Sequence, residues 1–144
     1  MSIGEVLLNP TRIYVDPIVD LINLCRSGEG PCDIGDIKAI AHITGGGLSN
    51  LLRLHESLGW HISDPLPVSP EFDWIAEVGE VQIKEKHRTF NMGMGMALAV
   101  SGPGGEGVSS WVAERLPGTR IVGEIRDQGH KVTHVDSRVS FDHY

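Results

Sequence analysis

Apolar positions recur at helical spacing in four stretches of the chain. Ile18, Leu21, Ile22 and Cys25 stand at i, i+3, i+4 and i+7, the stripe of a helix with one face in a core. Asp16 and Pro17 ahead of them predict an N-cap and a first helical residue, since proline has no amide to leave unpaired in a first turn. Leu48, Leu51, Leu52 and Leu58 form a second stripe, closed by Gly59. Phe72, Ile75 and Ala76 form a third, opened by Ser69-Pro70 and ended by Gly79. Val108, Trp111, Val112 and Leu116 make the last, stopped by Pro117-Gly118.

Extended segments lie between these stripes. Ile37–Ile43 reads as a buried strand and Trp60–Ser63 as a short one. Over 93–100, Met92, Met94, Met96 and Leu98 share one parity and Gly93, Gly95, Ala97 and Ala99 the other. This predicts a strand approached closely on its small face, with the methionines in the core. Gly28–Gly35 and Ser101–Gly107 read as a loop and a flexible turn, and Arg120–Ile125 and Lys131–Val135 as a final strand pair around Asp127–Gly129. Strands and helices interleave, which favours α/β or α+β layering. No repeat, low-complexity tract or linker divides the 144 residues, so 1–144 is expected to be one domain.

Composition narrows the function. Charge is 12 − 19 = −7 with histidines neutral, which argues against a duplex-binding surface, where massed Lys and Arg neutralise phosphates. A small anion held by backbone amides and a few arginines remains open. Eighteen glycines exceed the usual share of about 7% and are clustered, so particular turns demand them. Cys25 and Cys32, with six residues between them, form neither a disulfide framework nor a metal knuckle and read as two free thiols in a reducing compartment. No apolar run approaches membrane-spanning length. The opening MSIGEVLLNP lacks the basic and long apolar regions of a signal peptide, so a cytoplasmic protein is expected.

Three segments carry candidate chemistry. The first is strand–AHITGGG–helix, with Thr44, Gly45, Gly46 and Gly47 at the turn and Asn50 and Arg53 just inside the helix. A helix opening leaves amides unpaired, and glycines let a ligand's oxygens approach them. A bare GGG turn without a ligand is the alternative, and the lysine of a nucleotide phosphate loop is missing. The second is His87-Arg88-Thr89-Phe90-Asn91, four hydrogen-bonding residues around one Phe at a strand's start; the alternative is a solvated loop. The third is Arg12 beside the extended Asn9-Pro10 segment, where a surface or ion-pair role is the alternative. His42, at the end of a strand beside the glycines, is the candidate proton-transfer group or else a satisfied core histidine. His130 and His134, four apart on a strand pair, do not suit a zinc site, and no metal ligands are assigned.

Taken together, LLNPTRIYVDP (Leu7–Pro17), AHITGGGLSNLLR (Ala41–Arg53), HRTFNMGMGMALAV (His87–Val100) and IVGEI (Ile121–Ile125) resemble the C-terminal half of the aminoimidazole ribonucleotide synthetase family, the phosphoribosylformylglycinamidine cyclo-ligases. The four blocks stand in the family's order across nearly the whole chain. The resemblance implies an α+β domain, a layered mixed sheet with flanking helices, partly ferredoxin-like. It implies a part in ATP-dependent closure of an imidazole ring: ATP phosphorylates an amide oxygen of formylglycinamidine ribonucleotide, and an internal nitrogen displaces phosphate.

On this resemblance Thr44, Gly45, Gly46, Gly47, Asn50, Arg53, Arg12, Arg88, Thr89 and Asn91 bind substrate or phosphate, and His42 moves the proton. ATP and magnesium are expected on an ATP-binding N-terminal domain absent from this chain and supplied as a separate one, with a homodimer as the assembled form. Family chains are more than twice this length, the Gly28–Asp36 loop is longer here, and His87 replaces a frequent Tyr. Catalysis is therefore expected only with the missing half. A non-catalytic ligand-binding or interaction domain, and an accessory subunit of a related ATP-dependent enzyme, are the other readings.

Overall fold

The computed structural model describes residues 2–144, in an α+β arrangement of five α-helices, two 3₁₀ helices and six strands among those residues. Strands β1 (Ile37–His42) and β3 (Met96–Val100) form an antiparallel pair, Ile40 opposite Leu98 and His42 opposite Met96, with a bulge between Ile37 and Ala39. Strands β2 (Gly59–Ile62), β4 (Gly123–Arg126), β5 (Lys131–His134) and β6 (Ser140–Phe141) make a second, mixed sheet in the order β4-β2-β5-β6. Here β2 runs antiparallel to β4 and parallel to β5. The segments flanking Asp127–Gly129 are thus not a pair; β2 lies between them. Trp60, Ile62 and Val132, buried at the centre of this sheet, explain why an apolar strand from mid-chain takes that place.

Two cores result. Ile43, Leu48, Leu51 and Leu52 pack with Trp60, Val132, Val139 and Phe141 in one. In the other, Leu21 and Cys25 of α2 (Val15–Ser27) meet Val108 and Val112 of α5 (Gly102–Ala113), with Leu116 beside them. Helix α1 (Ile3–Leu7) begins with a capping box: Glu5 N–H donates to Ser2 Oγ at 3.3 Å and Ser2 N–H to Glu5 Oε2 at 2.6 Å.

Four further expectations need correction. Helix α2 is capped by Tyr14, so Pro17 is the third helical residue, which a first turn tolerates because that amide too has no partner inside the helix. The AHITGGG turn opens a 3₁₀ helix, Gly47–Leu54, and Leu58 and Gly59 lie beyond it. Residues 83–89 form α4 (Ile83–Thr89), so Arg88 and Thr89 sit on a helix, and Met92 and Gly93 form a turn at positive φ before β3. Finally, Gly102–Gly107 is helical. A Cβ on Gly104 would meet Cys32 Cβ at 2.9 Å, and one on Gly107 would meet Pro31 O at 2.8 Å. Close packing thus selects residues that turn propensity reads as a break. The remaining helix, α3 (Pro70–Val78), has the Ser69 cap and Gly79 end that its sequence predicts.

Candidate functional site

The glycine loop is a rigid corner. Gly46 and Gly47 have φ of 99° and 52°, conformations that side chains resist. A Cβ on Gly47 would collide with the carbonyl oxygen of His87, and would lie 2.7 Å from that of Phe90, so the C-terminal end of α4 presses against this residue. Gly47 N–H donates to Thr44 O at 2.9 Å and Ser49 N–H to Gly46 O at 3.1 Å. Ser49 Oγ also donates to Gly46 O, at 2.7 Å.

Asn50 supplies the rest of the scaffold. Its Nδ2 lies 3.3, 3.1 and 2.9 Å from the carbonyl oxygens of Thr44, Gly45 and Gly47, and the residue is buried. It therefore gathers carbonyls inward, leaving the amides to point elsewhere. Among the described residues, no acceptor is bonded to the amides of Thr44, Gly45 or Gly46, and a Cβ on Gly45 would meet nothing within 4 Å. Thr44, Gly45 and Gly46 thus present three successive amides without a bonded acceptor, with open space beside Gly45.

Two arginines flank this corner, linked by the segment after β6. The Arg53 guanidinium lies 4.9 Å from the centroid of the Tyr144 ring, and that ring lies against Gly46. Arg88 Nη1 lies 3.4 Å from His143 Nε2. Since arginine only donates, Nε2 accepts, and Nδ1 carries the proton donated to Asp142 Oδ1 at 2.6 Å. That hydrogen bond holds the Asp142 carboxyl below its ordinary range. Among the described residues neither Arg53 nor Arg88 has a carboxylate within 4 Å, so both charges remain available to an anion.

Other residues named from sequence sit differently. Thr89 Oγ1 donates to Glu85 Oε1 at 3.0 Å along α4, and Asn91 Oδ1 accepts from Gly93 N–H at 3.0 Å, shaping the turn into β3. Arg12 donates to Pro117 O at 2.8 Å, beyond the end of α5, and among the described residues it makes no hydrogen bond or ion pair with the glycine loop. His42 is exposed at the end of β1, its ring 6.0 Å from that of Tyr14.

Sequence reasoning missed Tyr144 and His143; His87, the first residue of the second candidate segment, is buried, and its ring lies 5.1 Å from that of His134. His87 Nδ1 bonds Ile83 O at 2.8 Å, while His134 Nδ1 accepts from Asp136 N–H at 3.0 Å. Burial, then the neighbouring His87, lowers the His134 pKa. No local motif announces these long-range contacts. A hollow of about 590 Å³ lies between β3 and β4 against Met96, Leu98, Val108 and Ile125. It is mostly apolar, and none of the candidate residues lines it.

The profile of "AIR synthase related protein, C-terminal domain" matches residues 2–136. The chain belongs to this family. Among curated AIR synthase relatives, the phosphoribosylformylglycinamidine cyclo-ligase of Methanopyrus kandleri is 40% identical over 94% of this chain and 36% of its own length. Those of Methanothermobacter thermautotrophicus and Methanosarcina acetivorans are each 37% identical over 91% of the chain, covering 35% and 34% of their own lengths. The chain thus spans about a third of these relatives and corresponds to the C-terminal domain of the AIR synthase family. Among the described residues no helix is long and apolar enough to cross a membrane.

Proposed function

We propose that this chain is the substrate-side domain of a phosphoribosylformylglycinamidine cyclo-ligase, acting in ATP-dependent closure of the imidazole ring of aminoimidazole ribonucleotide. The observation that carries the reading is the row of free amides at Thr44, Gly45 and Gly46. Phosphate oxygens, on the ribonucleotide or on the activated amide, are ligands such a nest accepts. Arg53 and Arg88 balance the anionic charge, and the Thr44 hydroxyl adds a donor. Asn50 holds the loop, while Thr89 and Asn91 set the end of α4 and the turn after it. His42, two residues ahead of Thr44 and on the same side of an extended chain, is the proton carrier in this reading. ATP and magnesium belong to the ATP-binding half, met as a separate chain, in a homodimeric cytoplasmic enzyme.

Preorganised donors of this kind stabilise charge that develops during reaction. The test uses Gly45→Asp, because that position has open space around it. A carboxylate there repels an anion by about 1–4 kcal/mol, roughly fivefold or more in affinity. Titration with inorganic phosphate, and with the substrate, is expected to show that loss with the melting temperature unchanged. Arg12→Ala is expected to leave affinity intact. Equal affinity in Gly45→Asp removes the nest from the function. Phosphate binding without aminoimidazole ribonucleotide formation, on mixing with a relative's ATP-binding half, favours the non-catalytic ligand-binding reading.

A further inference from the structure

The two cysteines are placed together by packing rather than by sequence. Helix α2 ends in Gly28 at φ 79°, with Gly28 N–H returning to Cys25 O at 3.4 Å and Glu29 N–H to Leu24 O at 3.0 Å. This cap reverses the chain over the helix's last turn. Gly30 then passes so close that a Cβ on it would lie 2.6 Å from both Cys25 N and Cys25 Sγ. Beyond it, Pro31 and Cys32 are wedged against Gly107 and Gly104 of α5. The result is a Cys25 Sγ to Cys32 Sγ separation of 3.7 Å, with both thiols free.

We propose that Cys25 and Cys32 are a modification site, a thiol pair that hydrogen peroxide converts to an intramolecular disulfide joining the end of α2 to the loop seated on α5. Cys25 is buried, whereas Cys32 is half-exposed and lines a hollow of about 330 Å³ with Gly28, Asp33, Asp36 and Pro103. Cys32 is therefore the sulfur that meets the oxidant. Its thiolate attacks one peroxide oxygen; the O–O bond breaks, and the departing hydroxide takes a proton to become water, leaving Cys32 as sulfenic acid. Cys25 sulfur then attacks the sulfenic sulfur. The S–S bond forms, the S–O bond breaks, and the leaving hydroxide takes the Cys25 proton as a second water. Two thiols lose two electrons and two protons, and one peroxide becomes two waters.

The surroundings select the oxidant and the rate. Asp33 and Asp36 flank Cys32 and repel anionic disulfides of the glutathione class, but not an uncharged peroxide. Burial, together with the neighbouring Cys25, pushes the Cys32 thiol up to about 11. The reaction is consequently slow at neutral pH, rising about tenfold per pH unit below that value as thiolate forms.

The experiment treats the purified chain with hydrogen peroxide or oxidised glutathione at pH 7, 8 and 9, followed by thiol titration and peptide mass mapping. Peroxide is expected to remove both titratable thiols, with a linked peptide two hydrogens lighter that dithiothreitol restores. The rate should climb with pH and exceed that with glutathione disulfide. Cys25→Ser and Cys32→Ser should each form no internal link; their far-ultraviolet circular dichroism confirms that each is folded. Two thiols surviving peroxide in the folded wild type would overturn the proposal. So would sulfinic acid on Cys32 without a link, or cross-linking only between chains.

Discussion

The Arg53 guanidinium stands over the Tyr144 ring at 4.9 Å, and the same ring edges onto Gly46, where a Cβ would meet its Cε2 at 2.8 Å. One side of the glycine loop is thereby covered by the segment after β6, while the Gly45 side stays open. Arg53 is held by an aromatic face rather than by a carboxylate, an attraction of about 0.5–1 kcal/mol at an exposed site. An incoming anion competes with the ring for this charge.

Replacing Tyr144 with Ala should therefore tighten phosphate binding by about twofold to fivefold, the factor to which that energy corresponds. Amide chemical shifts of Gly45 and Gly46 during a phosphate titration measure it directly. Weaker binding in the variant would instead make the ring part of the ligand's own contacts.

Gly47→Ala tests the rigidity of the corner. The residue's φ of 52° costs a side chain about 1–2 kcal/mol, and the His87 and Phe90 carbonyls leave no room for a Cβ, which adds about 1–3 kcal/mol of overpacking. A loss of about 2–5 kcal/mol is expected in urea unfolding. Gly45→Ala, with open space, should stay within about 0.5 kcal/mol of wild type. Equal effects at the two positions would contradict the packing of α4 against Gly47.

His134 makes stability depend on pH. Its folded pKa lies below the ordinary 6.5, through burial and the neighbouring His87, with His61 acting the same way and Asp136 opposing. The unfolded chain then binds the proton more readily than the folded one. This contribution is fully present above pH 6.5 and is lost as pH falls through the lower folded value. Urea midpoints between pH 5 and 7.5 should rise with pH, and the slope should flatten in His134→Gln. An unchanged slope would place the pH dependence in another group.

Much of this architecture was legible in the chain. The stripe Ile18-Leu21-Cys25 is buried in α2, and Ser69-Pro70 stands at the start of α3, where Pro70 is the first helical residue. The glycine loop was legible as a corner between strand and helix, because φ values above zero leave a glycine signature. Whether its amides were free was not, since that depends on Asn50 turning inward to collect three carbonyls. The alternation of methionine and glycine from 92 to 96 misled, because Met92 takes a positive φ in a turn and period two holds only from Met96 onward. Helix α1 was not among the elements read from hydrophobic spacing; its capping box of Ser2 and Glu5 is seen in the structure. Tyr144 over Gly46 was not readable, as it joins residues nearly a hundred positions apart.

The placement of β2 between β4 and β5 bears on how the chain assembles. β2 acquires both of its neighbours only from a segment about sixty residues further along, and β6 then flanks β5. Until then Trp60 and Ile62 have no lateral partners, so nascent chains released early carry a sticky, half-built ribbon. Sequence-distant pairing of this sort slows acquisition of the native state. Val139 and Phe141, locked into the larger core, act as the latch that ends this vulnerable interval.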